Sequence, residues 1–323
     1  MPLTPASGRP DPIQSRILTD KAMTSGYLYS QFGSPWRVNA DSYKRAEFDL
    51  EANKLALREA TYRAPGMKAN QMKGGDITWT TGQLKARALS APLEDEVLAE
   101  CDGPELESKF RTAHIEMITN RLELEAELEL LSLLTTTGGA IANASPSIKW
   151  DDTAPIVMAD IQAAIREMHR LSGVMPTHGI MPFAVAEAVF NSADYQNRVK
   201  YVAGQLAPQG FPYLAPFLGI NWVVPTVREN TSSTVTPALA HVWDVDSVVL
   251  CHLDPSAGSN PKALVPVRTF YGGSMAIGGT TFDVSRWRES DPTFHTEWWA
   301  AEWKWNMEIV CGAAAYILND VLL

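Results

Sequence analysis

The fold is decided by residues 104–139, which read PELESKFRTAHIEMITNRLELEAELELLSLLTTTGG. Neither glycine nor proline interrupts the chain between Pro104 and Gly138. Proline suits the first turn of a helix, and glycine commonly follows the last one. Residues 122–130 consist of Leu, Glu and Ala, which are strong helix formers, and contain no β-branched residue. The stretch therefore predicts one helix of about 30 residues, roughly 45 Å long.

Two patterns describe the faces of this predicted helix. Apolar residues recur at helical spacing and predict a stripe along the helix. The stripe comprises Phe110, Ala113, Met117, Leu124, Leu128 and Leu131. Glutamates stand at positions 123, 125, 127 and 129, and alternate helix positions point about 200° apart, so the four carboxylates cannot meet at one cation. We interpret this glutamate ladder as a solvated face, and the apolar repeat as too irregular for a coiled coil.

From residue 151 the chain has a mixed α/β pattern. Two helices are predicted, one with an apolar side from Ile161 to Leu171 that Gly173 closes, and one that begins near Pro182. Strands are predicted at 218–226, 241–250, 263–271, 275–284 and 298–310. In the last of these the odd positions are all apolar, and this period of two predicts a long strand with one side in a core.

Residues 1–45 are predicted to form an extended arm. Prolines at 2, 5, 10, 12 and 35 accompany a sequence with neither helical nor strand periodicity. The segment nevertheless carries large apolar residues that would be wasted in a free tail. These are Ile17, Leu18, Tyr27, Leu28, Tyr29, Phe32 and Trp36. We expect the arm to lie along a surface, either of its own domain or of a neighbouring subunit.

Residues 46–100 form a second irregular region. A short helix is expected at 48–58, a turn at 73–76 and a β-rich run at 77–81. Several basic residues and few large apolar ones occur between Arg58 and Lys85. An isolated hairpin is marginally stable in water, so this two-stranded excursion needs a surface to lie on. A functional loop and a contact arm would both satisfy that need.

Composition excludes some classes of protein. The chain has 323 residues, 46% of them hydrophobic, and a formal net charge of −10. Nothing resembles the clustered Lys/Arg with which proteins grip nucleic acid. An acidic soluble protein and an acidic wall around DNA both fit this charge. Three cysteines without motif spacing indicate a reducing compartment, and neither a signal peptide nor a membrane span is expected.

The sequence offers no recognisable active site. Its six histidines form no metal-ligand spacing, and it lacks the Gly-x-Ser-x-Gly elbow and the Gly-Lys-Ser/Thr phosphate loop. Cys251 and His252 are adjacent, whereas a thiol nucleophile and its base usually meet from separate segments. We therefore predict no catalytic, cofactor-binding or metal-binding residue, no cofactor, and a protein that is not an enzyme.

The order of these regions, together with local matches, resembles a known family. The matching pieces are APLEDE at 91–96, Asp160-Ile161, Pro176-Thr177-His178, and Gly219-Ile220 with Val223-Val224-Pro225-Thr226. This set resembles the major capsid (coat) proteins of tailed bacteriophages, which have the Hong Kong ninety-seven type shell fold shared with encapsulins and the herpesvirus floor domain. The resemblance implies an α+β fold with an N-terminal arm (1–45) and an extended loop region (46–100). It implies a peripheral domain with a long spine helix (101–150 and 263–323) and an axial domain (151–262).

The resemblance also implies a function, namely self-assembly into the icosahedral capsid of a double-stranded DNA phage. The implied partners are further copies in hexameric and pentameric capsomers, a separate scaffolding protein, a portal protein at one vertex and a possible decoration protein. DNA would be enclosed without sequence-specific binding, and the protein would be located in the virion after assembly in the host cytoplasm. No covalent cross-link is predicted. The candidate assembly contacts of the loop are Arg63, Lys68, Lys73, Trp79 and Lys85.

Three alternatives remain open at this stage. An encapsulin-like nanocompartment shell protein would have the same fold with a cargo-binding role. A soluble Cys/His-dependent hydrolase would use Cys251 or Cys311. A phage tail or receptor-binding protein usually shows repeats or long β-runs, which are not found here.

Overall fold

A computed structural model of the chain describes residues 27–47, 78–101, 103–136, 138–152, 155–202, 217–231, 238–260, 263–272, 282–288 and 296–323. The helices are α1 (Tyr29–Phe32), α2 (Asp95–Ala99), α3 (Pro104–Thr135), α4 (Val157–Ser172), α5 (Phe183–Asn191) and α6 (Ala193–Val202). The first strands are β1 (Pro35–Val38), β2 (Ser42–Glu47), β3 (Thr78–Gln83), β4 (Lys85–Glu94), β5 (Ala142–Ala144), β6 (His178–Ile180) and β7 (Asn221–Val223). The remaining strands are β8 (Arg228–Asn230), β9 (Leu239–His241), β10 (Val248–Cys251), β11 (Val267–Gly272), β12 (Phe282–Arg288), β13 (Thr296–Ile309) and β14 (Ala315–Leu318).

The larger sheet is built around β13. One edge of β13 pairs along its length with β4, and the other edge pairs first with β12 and then with β11, all antiparallel. β1 extends the sheet beside β11 in parallel. Trp299, Ala301, Trp303 and Trp305 are buried on one face of β13. The long strand predicted from the alternation at 298–310 is confirmed.

The long helix α3 lies on the tryptophan face of this sheet. Its limits agree with the prediction, because it begins at Pro104 and ends at Thr135. The residues that it buries are Ile115, Ile118, Thr119, Leu122, Glu123, Ala126, Glu127, Leu130 and Leu134. The predicted stripe lies on the opposite side, where Phe110 and Met117 are each 42% exposed and Leu128 is 38% exposed. The helix was predicted correctly, but most of the stripe taken from its sequence faces away from the core, and Leu124 and Leu131 are its members that pack against the core.

The glutamate ladder of α3 is not a solvated face, and that interpretation was wrong. Glu127 is fully buried and Glu123 is 4% exposed. Glu125 and Glu129 point to another side of the helix, where both contact Arg87. The inference that the four carboxylates do not converge holds, since they divide into two pairs on different sides of the helix.

Glu127 joins three separate parts of the chain. Its carboxylate accepts hydrogen bonds from the backbone N–H of Tyr29 at 2.9 Å and from the indole N–H of Trp243 at 2.6 Å. The backbone N–H of Leu28 donates to it as well. Burial raises the pKa of Glu127, and these donors oppose the shift. The start of the described chain is thus fixed to the middle of α3.

The second sheet has the order β5-β14-β10-β6-β7 and is covered on both faces. Alternate residues of β10 are buried on opposite faces of the sheet. Val248 and Leu250 pack in the hydrophobic core on the side of α4 and α5. Val249 and Cys251 lie on the side that continues into the core beneath α3. A strand buried on both faces has no polar alternation, which explains its continuously apolar sequence.

The remaining sequence predictions have mixed outcomes. The two predicted helices after residue 151 are confirmed as α4 and α5, with α6 following directly. The strand predicted at 218–226 is present only as the short β7. The helix predicted at 48–58 lies outside the described residues. No helix in the described part of the chain is both long and apolar enough to cross a bilayer.

The predicted domain limits stay a prediction. The structure adds that β14, at residues 315–318, pairs with β10 at residues 248–251, and that β5 pairs with β14. The chain therefore returns at its C-terminal end to the sheet that contains most of the predicted axial strands.

Replacing Glu127 with Leu should lower the free energy of unfolding by about 3 kcal/mol or more, because each buried donor left unpaired costs about 1–3 kcal/mol. Urea denaturation followed by tryptophan fluorescence measures the loss. Glu125→Leu is the matched control, since its side chain is 54% exposed and such surface ion pairs contribute about 0–1 kcal/mol. Equal losses in the two variants would contradict the assigned role of Glu127.

The same residue should make stability depend on pH. Because burial raises the pKa of Glu127 above its ordinary value of 4.5, its favourable contribution is complete below that pH and is lost as the pH rises. Glu127→Gln does not titrate, so the stability of the wild type minus that of the variant should fall as the pH is raised over the range above about 4.5. Urea denaturation of both proteins across this range gives the difference. A difference that stays constant or grows would refute the assignment.

Candidate assembly surface

A two-stranded hairpin projects from the larger sheet. Residues 42–47 of β2 pair antiparallel with residues 78–83 of β3, and the segment between them, 48–77, lies outside the described residues. The sequence predicted a two-stranded excursion with a β-rich run at 77–81, and β3 confirms that run. Its partner strand spans the predicted boundary between the arm and the loop region. The root of the excursion is therefore formed partly by residues that had been assigned to the arm.

Aromatic stacking holds the root of this hairpin on the larger sheet. The ring of Tyr43 stacks on that of Phe270 in β11, with centroids 4.1 Å apart. The side-chain amide of Asn306 in β13 donates a hydrogen bond to the Tyr43 hydroxyl at 2.8 Å. Gly82, opposite Tyr43, leaves room for this ring, because a Cβ at residue 82 would lie 2.4 Å from it. A buried tyrosine therefore fixes β2 and β3 to two strands of the sheet.

Ion pairs reinforce the same attachment. Arg45 contacts the Glu308 carboxylate at 3.0 Å and donates to the backbone carbonyl of Ile309 at 2.8 Å. Lys304 contacts the Asp41 carboxylate at 3.2 Å. Arg45 and Glu308 are both less than one-quarter exposed, so their interaction is less screened by salt than that of a fully exposed pair.

The chain leaves the hairpin through β4, which is fastened to α3 by Arg87. The guanidinium of Arg87 lies 3.7 Å from the centre of the Trp305 ring and contacts Glu125 at 2.9 Å and Glu129 at 2.7 Å. The indole N–H of Trp305 donates to Glu129 at 2.9 Å. Both ends of segment 48–77 are thus attached to rigid structure, one through Tyr43 and Arg45 and the other through β3 and β4.

Two of the five predicted contact residues lie in the described part of the chain. Trp79 is on β3 with its side chain 63% exposed, and Lys85 is an exposed residue at the start of β4. Arg63, Lys68 and Lys73 lie outside the described residues. An exposed tryptophan on a hairpin with little apolar burial is the kind of side chain that contributes strongly to protein interfaces. The role of these residues in assembly stays a prediction.

The two cysteines that a thiol-based activity would require, Cys251 and Cys311, are buried. Cys251 lies in the core and burial raises the pKa of its thiol to about 12, so the thiol stays protonated at neutral pH. Burial also raises the pKa of Cys311. His178 stands opposite Cys251 in the strand register, and its ring nitrogen lies 2.9 Å from the Thr177 hydroxyl. Among the described residues, no group of three or more His, Cys, Asp or Glu side chains is arranged to hold a metal ion.

Sequence reasoning missed the residues that fix the hairpin. Tyr43, Arg45 and Arg87 carry no motif, and each acquires its role from a partner more than 35 positions away in the chain. One available signal was the alternation of β13, whose polar face carries Lys304, Asn306 and Glu308 in a row. These three are the residues to which the hairpin root binds.

Comparisons with known proteins define the architecture. Neither a protein family model nor a curated protein matches the sequence. A phage-related protein from Bordetella bronchiseptica matches the structure with a TM-score of 0.68 and 15% identity, over 98% of each chain. The capsid of the native GTA particle matches with a TM-score of 0.56 and 13% identity, over 91% of this chain and 90% of that one. An encapsulin from Synechococcus elongatus matches with a TM-score of 0.50 and 9% identity, over 89% and 84%.

At these identities the likeness concerns the fold, and it extends over nearly the whole chain. The α+β prediction is confirmed by a body in which a long helix crosses a sheet, with a projecting hairpin on one side and a second sheet covered by helices. Solved capsids of bacteriophage PhiM1 and of a cyanophage share this architecture, each with a TM-score of 0.54. The chain has the Hong Kong ninety-seven type fold of phage capsid proteins.

Proposed function

We propose that this protein is the major capsid protein of a tailed bacteriophage, a structural subunit that assembles into an icosahedral shell around double-stranded DNA. The observation that carries the proposal is the match of about nine-tenths of the chain to solved capsids. Among the described residues, Cys251 is buried with its thiol protonated, and no group of side chains is arranged to hold a metal ion. The protein is therefore proposed to act through its surfaces and not as an enzyme.

The architecture supports a subunit whose body provides stability and whose loop provides contacts with other copies. Tyr43 of the hairpin root hydrogen-bonds to β13 and stacks on β11. A force that acts on segment 48–77 would therefore be transmitted to the larger sheet. The loop carries Arg63, Lys68 and Lys73, and Lys85 follows it, whereas the whole subunit has a net charge of −10. The basic side chains of the loop would favour contact with acidic groups on neighbouring copies. They would also make assembly sensitive to salt.

The proposed partners follow from the role of a shell subunit. They are other copies of the chain in hexameric and pentameric capsomers, a separate scaffolding protein, a portal protein at one vertex and a decoration protein on the outside. The acidic charge suits a wall that encloses DNA without gripping it. The protein would be assembled in the host cytoplasm and remain in the virion.

An encapsulin-like compartment is the second candidate, because an encapsulin shares the fold. Its TM-score of 0.50 is lower than the 0.54 to 0.56 of the phage and GTA capsids, which favours the phage capsid. The contents of purified particles separate the two candidates. Packaged DNA supports the capsid, whereas a folded protein cargo supports the compartment.

Replacing residues 48–77 with an Asn-Gly turn should abolish shell formation and leave the subunit folded. Glu47 and Thr78 are directly paired, so a two-residue turn closes the hairpin without disturbing its root. Negative-stain electron microscopy, with a scaffolding partner present where one is required, should show shells or capsomer sheets for the wild type only. Circular dichroism and cooperative melting should remain near the wild type.

Point variants provide the controls for this experiment. Trp79→Ala together with Lys85→Ala should weaken assembly, whereas Lys44→Ala, an exposed lysine on the other strand of the hairpin, should not. Normal shells from the loop-replaced protein would show that the loop is not an assembly contact. A wild-type protein that stays monomeric at every salt concentration and pH, even with scaffold, would refute the capsid proposal.

Replacing Cys101, Cys251 and Cys311 together with Ala should leave assembly intact. The cost should be about 1–2 kcal/mol of stability for each buried site. Native Cys251 should also resist iodoacetamide, because its thiol is buried and protonated. Mass spectrometry of the alkylated protein and electron microscopy of the variant measure the two outcomes. A folded variant that has lost a hydrolytic activity of the wild type would instead support the Cys-dependent hydrolase.

A further inference from the structure

A histidine lies where the short helix α1 packs against the second sheet. His178 is the first residue of β6, and its ring meets the ring of Phe32 edge-on, with centroids 5.9 Å apart. Phe32 is the last residue of α1 and is fully buried. In the strand register His178 stands opposite Cys251, a residue of the core beneath α3. A titratable ring is therefore part of the surface on which α1 packs.

The hydrogen bonds of Thr177 favour the neutral form of His178. The Thr177 hydroxyl accepts a hydrogen bond from the backbone N–H of Leu253 at 2.9 Å and lies 2.9 Å from Nδ1 of His178. Among the described residues this hydroxyl has no other acceptor, so its one hydrogen is used only when Nδ1 carries none. A protonated ring would present an N–H at Nδ1 and leave the hydroxyl hydrogen without an acceptor.

The charges near His178 also oppose its protonation. Burial lowers the pKa of His178 below its ordinary value of 6.5, and repulsion from His252 lowers it further. His252 is held in place because its Nδ1 donates to the backbone carbonyl of Met175 at 2.8 Å. The other ionisable groups here are the buried, neutral thiol of Cys251 and the exposed carboxylate of Asp254, which interacts with His252. No carboxylate in the described part of the chain pairs with His178 itself.

The other end of α1 responds to pH in the opposite direction. Its first residue, Tyr29, donates its backbone N–H to Glu127 and its hydroxyl to Glu123, both on α3. Because burial raises the pKa of Glu127, the favourable contribution of that residue is complete at low pH. Acid therefore preserves the attachment of α1 at Tyr29, while it acts against the attachment at Phe32.

We propose that His178 is an acid-sensitive anchor for the C-terminal end of α1, and that its protonation opens the contact with Phe32 and releases Leu253 from the Thr177 hydroxyl. A buried charge without a partner is costly, and opening returns the charged ring to water. Since the pKa of His178 is lowered in the closed contact, the contact is fully favoured above about pH 6.5 and weakens as the pH falls toward the lowered value. This inference concerns the folded subunit by itself and goes beyond the proposed function.

Hydrogen exchange followed by mass spectrometry tests the proposal in the full chain. Exchange is expressed relative to an unstructured chain at the same pH, so that the direct effect of acid on exchange cancels. Below about pH 6.5 the wild type should lose protection in peptides that contain Phe32 and Leu253, whose N–H groups are bonded in the closed contact. The uptake of one proton sets a slope of up to about tenfold per pH unit. Peptides from the centre of β13 should keep their protection.

Three asparagine variants separate the charge from the packing. His178→Asn retains a side-chain acceptor but does not titrate, so its protection in α1 should be the same above and below pH 6.5. His169→Asn is the matched control, because it removes an exposed histidine from α4 and should lose protection as the wild type does. His252→Asn keeps a donor for the Met175 carbonyl without the charge, so it should lose less protection than the wild type.

Two results would overturn the proposal. Protection of α1 that does not change with pH in the wild type would show that the contact does not sense acid. Equal losses in the wild type and in His178→Asn would assign the effect to another group. Should His178→Asn not fold, the wild type alone decides, with nuclear magnetic resonance giving the pH at which the His178 ring is half protonated. Protection of α1 must then fall between about pH 6.5 and that value, and a loss outside this interval would refute the anchor.

Discussion

The packing of α3 against the tryptophan face of β13 is the interaction on which the rest of the structure depends. Trp299, Trp303 and Trp305 are buried there, and indole rings bury more area than other side chains. β13 in turn pairs with β4, β11 and β12, so a single strand organises the larger sheet and provides the surface for the helix. The hairpin root binds to the opposite face of the same strand through Lys304, Asn306 and Glu308. β13 therefore borders the core, forms the centre of the larger sheet and binds the root of the hairpin.

Charged groups inside this contact define its geometry. Glu297 on β13 is fully buried and contacts Arg286 at 2.6 Å and Arg111 of α3 at 3.5 Å. Removing such charges from water is costly, and a buried pair is often no more stabilising than apolar residues of the same volume. A misplaced charge is heavily penalised, however, so the pairs disfavour any other register of α3 on the sheet. Arg87 acts similarly, because its contacts with Trp305 and Glu129 are satisfied together only when β4, β13 and α3 are aligned.

The local sequence predicted the limits of α3 and β13 well, but it predicted poorly which of their residues are buried and what those residues contact. The limits of α3 and the alternation of β13 depend on propensity and period, which neighbouring residues determine. The buried face of α3 was missed because two apolar stripes run along this helix, and only the position of the sheet decides between them. The burial of Glu127 was missed because its donors come from Tyr29 and Trp243, about 100 positions before and after it. The residues of the proposed assembly surface were hardest to predict, since no catalytic chemistry constrains the residue types of a contact surface.

The two apolar surfaces of α3 explain how one helix can stabilise the subunit and still offer a contact. A helix that is apolar on one side only has no further apolar surface to bury once that side lies on the sheet. On α3, Phe110, Met117 and Leu128 remain exposed on the side away from the sheet. The first described residues and the hairpin root are both attached to the body through buried groups, at Glu127 and at Tyr43. Rigid roots reduce the entropy that a contact segment loses on binding, because fewer of its residues remain to be ordered. Contacts made by segments that begin at such fixed roots gain specificity from that arrangement without needing to be stronger.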